Sequence, residues 1–336
     1  MMSSSSKLLF FTSLLLGIMI SISSSSWLMI WIGLEINLLS FIPIISSPTN
    51  QYSTEITLKY FLIQALSSSC ILLGVLLLCS SYFPSNLVMT AALIMKMGGA
   101  PFHFWFIEVM KQLNWLQIII LNTFQKISPM VLTSYTLYNH LSQKMVLTSI
   151  ILSSLLGGLG GLNQTHLNKV MAYSSLNHMG WLLQGLSMSL YLWFMYFSVY
   201  CVLLSSICLM FHFFTIKHIK QLVNKMADDF FVKTTMAFPL MSLAGLPPFS
   251  GFMMKMIIIL QLMAQSQIFL TLILILSSLF SLFFYFRILL SSVIISSKKS
   301  KTFVTQALSK NTNKTGIILF VNFIMMLFIS VFLILI

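Results

Sequence analysis

The chain has 336 residues, of which 58% are hydrophobic and 7% are charged, and its mean hydropathy is +0.98. This composition excludes an ordinary soluble globular protein and predicts an all-α polytopic membrane protein. The formal net charge is +13. It does not predict nucleic-acid binding, because the lysines are scattered between apolar segments and form no basic stripe.

Apolar runs along the chain predict about eleven membrane spans, since each span needs roughly 20 residues. The predicted spans are 8–24, 27–45, 56–80, 86–110, 114–138, 146–162, 167–187, 190–215, 234–264, 267–295 and 316–336. Two of these spans are interrupted, one by GGAP at 98–101 and the other by GLPP at 245–248. Two such broken helices are typical of the inverted repeats of ion transporters.

The lysines outside the span centres test this count. If each interrupted segment crosses the membrane once, all of them except Lys144 fall on one side. One span more or fewer in the middle of the chain would destroy this asymmetry. The pattern therefore predicts that the N-terminus lies on the positive side and the C-terminus on the opposite side.

Four ionisable side chains lie deep inside apolar spans: Glu35, Lys96, Lys126 and Lys255. A charge near the bilayer centre costs at least ~2.5–3.5 kcal/mol on insertion scales, and it usually marks an ion or proton path. Burial favours the neutral form of a lysine side chain, whereas a nearby carboxylate favours the charged form. A buried lysine can therefore exchange a proton when its neighbours change.

Glu35 is the only acidic residue deep in a predicted span, and Lys96 is its natural partner. Closing this pair would hold Lys96 protonated, and opening it would release a proton to the next site. A static structural ion pair is the alternative. His178 is predicted to bridge Lys126 and Lys255 through water, but a core histidine with satisfied hydrogen bonds is an equal alternative.

Several other features predict structure rather than chemistry. The four cysteines lie in apolar segments without a C-x-x-C pair, so their spacing does not predict a zinc site, an iron–sulfur cluster or a disulfide. The GGLGG run at 157–161 has no preceding strand and predicts close helix packing instead of a dinucleotide site. Arg287 is expected to snorkel from the end of its span.

The beginning of the sequence predicts no import signal. The first apolar run is long and leads into a second span, unlike a cleavable signal peptide, and no Arg-rich presequence is visible. Methionine is abundant, with 24 residues, and arginine is almost absent. This bias is typical of an organelle-encoded gene. The composition resembles that of metazoan, and in particular arthropod, organelle-encoded proteins.

Six collinear strings between about residues 27 and 287 carry a family resemblance. They are WIGLEINLLSFIP, STEITLKYFLIQA, KMGGAPFHFW, QKISP, GGLNQTHLNKVMAYSSLNHMGW and GLPPFSGFMMK. Together they resemble the chain 2 family of NADH-ubiquinone oxidoreductases, the mitochondrially encoded, antiporter-like subunits of respiratory complex I. Any one motif also fits the sister antiporter-like subunits, but the short N-terminus before GLEIN favours the chain 2 family.

We expect a single antiporter-like transmembrane domain over 1–336. The resemblance implies a mitochondrial protein, so the positive side on which the N-terminus is predicted to lie is the matrix. It also implies proton pumping across the inner membrane, driven by electron transfer elsewhere in complex I. By motif, the proton-relay residues of the family fall on Glu35, Lys96, Lys126 and Lys255.

The implied partners are the other complex I membrane subunits, including neighbouring antiporter-like subunits, and inner-membrane lipids. The chain has no recognisable site for NADH, FMN, an iron–sulfur cluster or ubiquinone, so we expect these elsewhere in the complex. The activity of an H⁺-translocating NADH:ubiquinone reductase would then belong to the assembly. Two alternatives remain open at this point: a cation/proton antiporter subunit, and a purely structural membrane subunit.

Overall fold

The computed structural model of the chain describes residues 4–46, 51–78, 85–225, 230–293, 316, 318 and 320–322. Between residues 4 and 293, the described backbone forms fourteen helices and one isolated β-bridge, which joins His166 and His218. The helices are α1 (Ser4–Ser23), α2 (Trp27–Ile45), α3 (Gln51–Leu78), α4 (Ser85–Met97), α5 (Phe104–Gln112), α6 (Trp115–Asn122), α7 (Phe124–Thr136), α8 (His140–Gly160), α9 (Leu167–Met188), α10 (Leu190–Phe213), α11 (Ile219–Lys225), α12 (Phe230–Ala244), α13 (Ser250–Ala264) and α14 (Ile268–Val293).

This helical architecture confirms the predicted fold class, since a membrane span must satisfy its own backbone hydrogen bonds. Six helices are long and apolar enough to cross a membrane: α1, α2, α3, α8, α10 and α14. Two shorter apolar helices, α4 and α13, belong to the interrupted segments. The count of eleven spans stays a prediction, and nearly all of the predicted span 316–336 lies outside the described residues.

Both predicted helix breaks are present. The segment 86–110 divides into α4 and α5, and the segment 234–264 divides into α12 and α13. The Gly and Pro residues between the half-helices explain the breaks, because proline lacks the N–H that would continue the helix and its ring clashes with the preceding turn.

The predicted span 114–138 contains a third interruption, which the sequence analysis did not predict. Thr123, between α6 and α7, has φ −106° and ψ −81°, outside the helical region. Its hydroxyl donates to the carbonyl of Ile119 at 2.7 Å, and the Asn122 amide donates to the carbonyl of Ile118 at 3.2 Å. Side-chain donors of this kind compete with the backbone for helix carbonyls and explain the irregularity.

The chain divides into two compact units, the first formed by Met1–Ser153 and Leu183–Leu190, and the second by Ser154–Leu182 and Tyr191–Ile336. The single domain over 1–336 stays a prediction. In the first unit, α2 packs against α1 and α3, and α4 packs against α3 and α7. A Cβ atom at Gly33 would lie 2.7 Å from the backbone nitrogen of Ser21, so glycine is required where α1 and α2 meet.

In the second unit, α14 packs against α11, α12 and α13. The glycines at the end of α8 pack closely, as predicted. A Cβ at Gly158 would lie 2.9 Å from the carbonyl oxygen of Ser277, and one at Gly161 would lie 2.8 Å from the ring of Phe284. The Arg287 guanidinium donates to the carbonyls of Leu162 and Gln164, at 2.6 and 2.7 Å, after α8, and its snorkelling stays a prediction.

Large apolar side chains cover much of the surface of the described helices. Leu76 in α3 is 72% exposed and Phe269 in α14 is 73% exposed. Surfaces of this kind are expected where a chain contacts lipid or other membrane subunits.

Candidate functional site

The first helix break ends α4 with a complete glycine cap. Gly98 has φ +72°, its N–H donates to Met95, and the N–H of Gly99 donates to Ile94. This is the Schellman arrangement, in which a glycine in the left-handed region ends a helix and satisfies its last carbonyls. The same carbonyl of Met95 also accepts the indole N–H of Trp105 at 3.2 Å.

Lys96 lies in the last turn of α4, directly before this cap, and is 7% exposed. Its backbone carbonyl accepts a hydrogen bond from the Gln64 amide at 3.1 Å. Glu35 in α2 is half-buried and attracts the Lys96 ammonium electrostatically. The two predicted partners therefore lie in the same unit and interact, without a direct salt bridge between them in the described part of the chain.

Lys126 lies in the first turn of α7 and is 2% exposed. The irregular Thr123 precedes it, and the N–H of Lys126 donates to the Thr123 carbonyl at 3.1 Å. Its Nζ atom lies 4.9 Å from the centre of the Phe106 ring. At this distance, the face of an aromatic ring attracts an ammonium group.

A cavity of about 20 Å³ in the first unit is lined by both Lys96 and Lys126. This volume is large enough for a single water molecule. The polar side chains that line it are Asn37, Tyr60, Gln64, Lys96, Gln125 and Lys126. The lining therefore offers both hydrogen-bond donors and acceptors next to both lysines.

An amide chain connects the elements around this cavity. The Gln125 amide donates to Asn37 at 2.9 Å, and the Tyr60 hydroxyl donates to Gln125 at 3.4 Å. These hydrogen bonds join α2, which carries Glu35, to α7, which carries Lys126. These amides were not predicted from the sequence, although an amide within an apolar run carries a weaker form of the signal that a charge carries.

The second helix break holds Lys255. Gly245 has φ +85° and ends α12 with the same glycine cap, in which Gly245 donates to Ser242 and Leu246 donates to Met241. Lys255 in α13 is 4% exposed, and its Nζ donates to the carbonyls of Leu243 and Ala244 at 3.5 and 3.4 Å.

An aromatic ring also faces Lys255. The Nζ atom lies 5.9 Å from the centre of the Trp181 ring. The two carbonyl oxygens and the indole ring are thus groups of opposite partial charge that face the buried amine. Both broken helices thus hold a buried lysine, before the break in one and after it in the other.

His178 in α9 is 4% exposed, and its Nδ1 atom lies 2.8 Å from the hydroxyl oxygen of Tyr196. Sequence reasoning did not find this partner. His178 and Lys255 belong to the second unit, whereas Glu35, Lys96 and Lys126 belong to the first. The bridging role of His178 stays a prediction.

Within the described residues, no three His, Cys, Asp or Glu side chains converge as the ligands of a metal ion do.

Comparisons with known proteins agree on one family. The family model of the NADH:quinone oxidoreductase/Mrp antiporter transmembrane region matches residues 24–82 and 80–281. The chain is 40% identical over 326 residues to NADH-ubiquinone oxidoreductase chain 2 of Anopheles gambiae, covering 94% of each protein. It is 35% identical over 344 residues to chain 2 of Locusta migratoria, covering 97% of this chain and 99% of the relative.

Solved structures share the fold at lower identity. A chain of respiratory complex I from Thermus thermophilus with bound aureothin superimposes with a TM-score of 0.79 and 19% identity, covering 94% of this chain and 78% of that chain. A chain of the Mrp complex from Dietzia sp. superimposes with a TM-score of 0.75 and 15% identity, covering 87% of this chain and 61% of that chain. These similarities concern the fold alone.

Proposed function

Since the chain belongs to the NADH:quinone oxidoreductase/Mrp antiporter family, we propose that its buried lysines carry protons through a membrane subunit of complex I. The chain is a core, multi-pass membrane subunit of mitochondrial respiratory complex I and takes part in proton translocation coupled to electron transfer from NADH to ubiquinone. A cation/proton antiporter is the weaker alternative, because the relatives that match nearly the whole chain are chain 2 proteins.

The observation that carries the proposed mechanism is the cavity of about 20 Å³ that is lined by both Lys96 and Lys126. A water molecule in this cavity would have several polar partners. It would divide the proton transfer between the two amines into two shorter steps. Proton transfer needs donor and acceptor within hydrogen-bond reach, either directly or through one water molecule. Lys126 is therefore the central relay in our proposal.

Glu35 and Lys96 form the switchable pair in this proposal. The electrostatic attraction between them supports it, because moving the carboxylate closer stabilises the charged lysine. Moving it away favours release of the proton towards Lys126. The amide chain from Asn37 to Gln125 offers a mechanical link between α2 and the Lys126 segment.

Lys255 is the distal site, and His178 relays protons to it. The contact between Lys255 and the two free carbonyls at the second break supports this role, since carbonyl oxygens stabilise an ammonium group. Movement of either half-helix would change the number of carbonyls around the amine and hence its proton affinity.

The redox chemistry belongs to other subunits in this proposal. NADH, FMN, iron–sulfur clusters and ubiquinone bind elsewhere in the complex, and this chain binds no metal or cofactor. Its partners are the other membrane subunits, including neighbouring antiporter-like subunits, and the lipids of the mitochondrial inner membrane. The exposed apolar side chains of α3 and α14 support such contacts. The N-terminus faces the matrix in this proposal, as the lysine asymmetry suggests.

Replacement of the central lysine tests the relay. Lys126→Met keeps most of the side-chain volume and removes the proton-binding amine. We expect the purified, reconstituted complex to oxidise NADH but to pump fewer protons per NADH, by the share that passes through this subunit. The control is Lys144→Met, because Lys144 is exposed and lies outside the site.

A full proton-to-NADH ratio in the Lys126→Met complex would refute the relay. Loss of assembly with an unchanged ratio in the complex that remains would instead favour the purely structural subunit. The ratio is measured per assembled complex, so the two outcomes are distinct.

A further inference from the structure

A group of tyrosines surrounds His178 in the second unit, and the relay described above does not use them. Tyr196 in α10 lies within hydrogen-bond distance of His178. Tyr200 follows one turn later, on the same face of α10, and its ring centre lies 5.2 Å from that of His178. Both tyrosines are buried, with 3% and 2% exposure.

Tyr285 in α14 extends this group away from His178. It is fully buried. Two contacts place its segment of α14: Ser277 donates to the side chain of Asn177 in α9 at 3.2 Å, and Arg287 donates to two carbonyls of the segment between α8 and α9. Tyr285 lies between these two positions in α14, so the tyrosines extend from His178 towards the N-terminal end of α9.

Two of these hydroxyls are unusual for a buried core. Within the described residues, the Tyr200 hydroxyl has no hydrogen-bond partner, and the Tyr285 hydroxyl has only Ser174 close by, outside normal hydrogen-bond geometry. A buried polar group without a partner costs about 1–3 kcal/mol, and ordered water usually satisfies such groups. Phenylalanine would fill the same space without this cost, so packing alone does not explain tyrosine here.

Several titratable residues lie at the end of α9 towards which the group extends. The N–H of Leu167 donates to the Lys217 carbonyl at 2.9 Å, which joins the start of α9 to the segment after α10. The rings of His166 and His218 lie 4.0 Å apart at this junction. Lys220 is exposed nearby in sequence. In the proposed topology, this end faces the matrix.

We propose that Tyr285, Tyr200 and Tyr196 form a proton-uptake branch that leads from the lysine- and histidine-rich end of the second unit to His178. This inference rests on the proposed function. The row of tyrosines ends at a direct contact with His178, a predicted relay residue. The incompletely hydrogen-bonded hydroxyls of Tyr200 and Tyr285 are suited to hold ordered water. Proton movement through such a branch requires no further cofactor.

A hydroxyl passes a proton without a net change of charge. Each tyrosine oxygen, or the water beside it, accepts one proton and releases its own to the next group. Tyr196 delivers the last proton to the Nδ1 atom of His178, and the imidazolium then releases a proton from Nε2. The other titratable side chains beside Tyr200 are Cys201 and Cys208, whose thiols are weak hydrogen-bond donors.

The test removes single hydroxyls from the reconstituted complex. We expect Tyr285→Phe, Tyr200→Phe and Tyr196→Phe each to lower the protons pumped per NADH by as much as His178→Gln does. Combining any of them with His178→Gln should give no further loss. Tyr191→Phe, on the same helix but 54% exposed, is the control and should retain the full ratio.

A dependence on matrix-side pH separates uptake from packing. If the tyrosines supply protons, a tenfold higher proton concentration on that side should restore part of the lost ratio. A deficit that this change leaves unaltered would overturn the branch and assign the tyrosines to packing.

The Lys126→Met complex distinguishes this inference from the proposed function. A reduced ratio there, with full ratios in all three tyrosine variants, would refute the branch alone. Full ratios in every variant would refute both.

Discussion

Phe106 connects the first helix break to a buried lysine. It is 1% exposed, its ring centre lies 4.9 Å from the Lys126 Nζ atom, and a Cβ at Gly98 would lie 2.7 Å from its own Cβ. A shift of the glycine cap therefore presses on the ring that faces Lys126. We interpret Phe106 as a positioning residue for this amine.

Loss of the aromatic ring should affect Lys126. Phe106→Leu removes an attraction of about 0.5–2 kcal/mol for the ammonium. We expect fewer protons per NADH in the reconstituted complex, with assembly largely retained. Phe104→Leu, on the same helix but 72% exposed, is the matched control. Equal ratios in the two variants would contradict the role of Phe106.

At the residue scale, the buried charges could be predicted from the sequence more readily than the buried amides. Lys96, Lys126 and Lys255 are each no more than 7% exposed, as their position in apolar runs predicted. Gln64 and Gln125 were missed, because an amide in an apolar run is a weaker signal than a charge. Only the folded chain shows that these amides line the same cavity as the lysines.

Element boundaries depend on local chemistry, and the two glycine caps illustrate this. Gly98 and Gly245 both adopt positive φ, and within three residues Gly98 is followed by one proline and Gly245 by two. Such a glycine and proline pattern predicts a helix end from sequence alone. The break at Thr123 has no glycine and was missed, because its cause is a set of side-chain hydrogen bonds.

The second glycine cap should not tolerate a side chain. Gly245→Ala would strain the backbone by roughly 1–2 kcal/mol at positive φ, and its Cβ would lie 2.9 Å from the Lys255 Nζ atom. We expect less assembled complex, and a lower proton-to-NADH ratio in the complex that forms. Gly316→Ala is the control, since no atom of the described residues lies within 4 Å of its Cβ position.

Normal pumping in the Gly245→Ala complex would show that Lys255 does not depend on the precise form of the break. A loss of assembly alone, with a normal ratio, would limit the glycine to folding.

At the scale of the whole molecule, the lysine asymmetry predicts the orientation in the membrane. Lys220 and Lys144 lie on opposite sides in the predicted topology, and both are exposed. We expect an impermeant maleimide to label Lys220→Cys only from the matrix side and Lys144→Cys only from the intermembrane side. The unmodified chain, with its own cysteines, gives the background. Labelling of both positions from the same side would refute the predicted span count.

The sequence by itself determined the membrane class, the two glycine-and-proline breaks and the four embedded charges, because apolar run length, missing N–H groups and the cost of a buried charge are local properties. Only the tertiary structure decided which neutral groups contact the residues of the candidate site. Gln64 on the Lys96 carbonyl, Phe106 over Lys126 and Tyr196 on His178 come from other helices, and a contact between helices depends on their packing rather than on either segment alone.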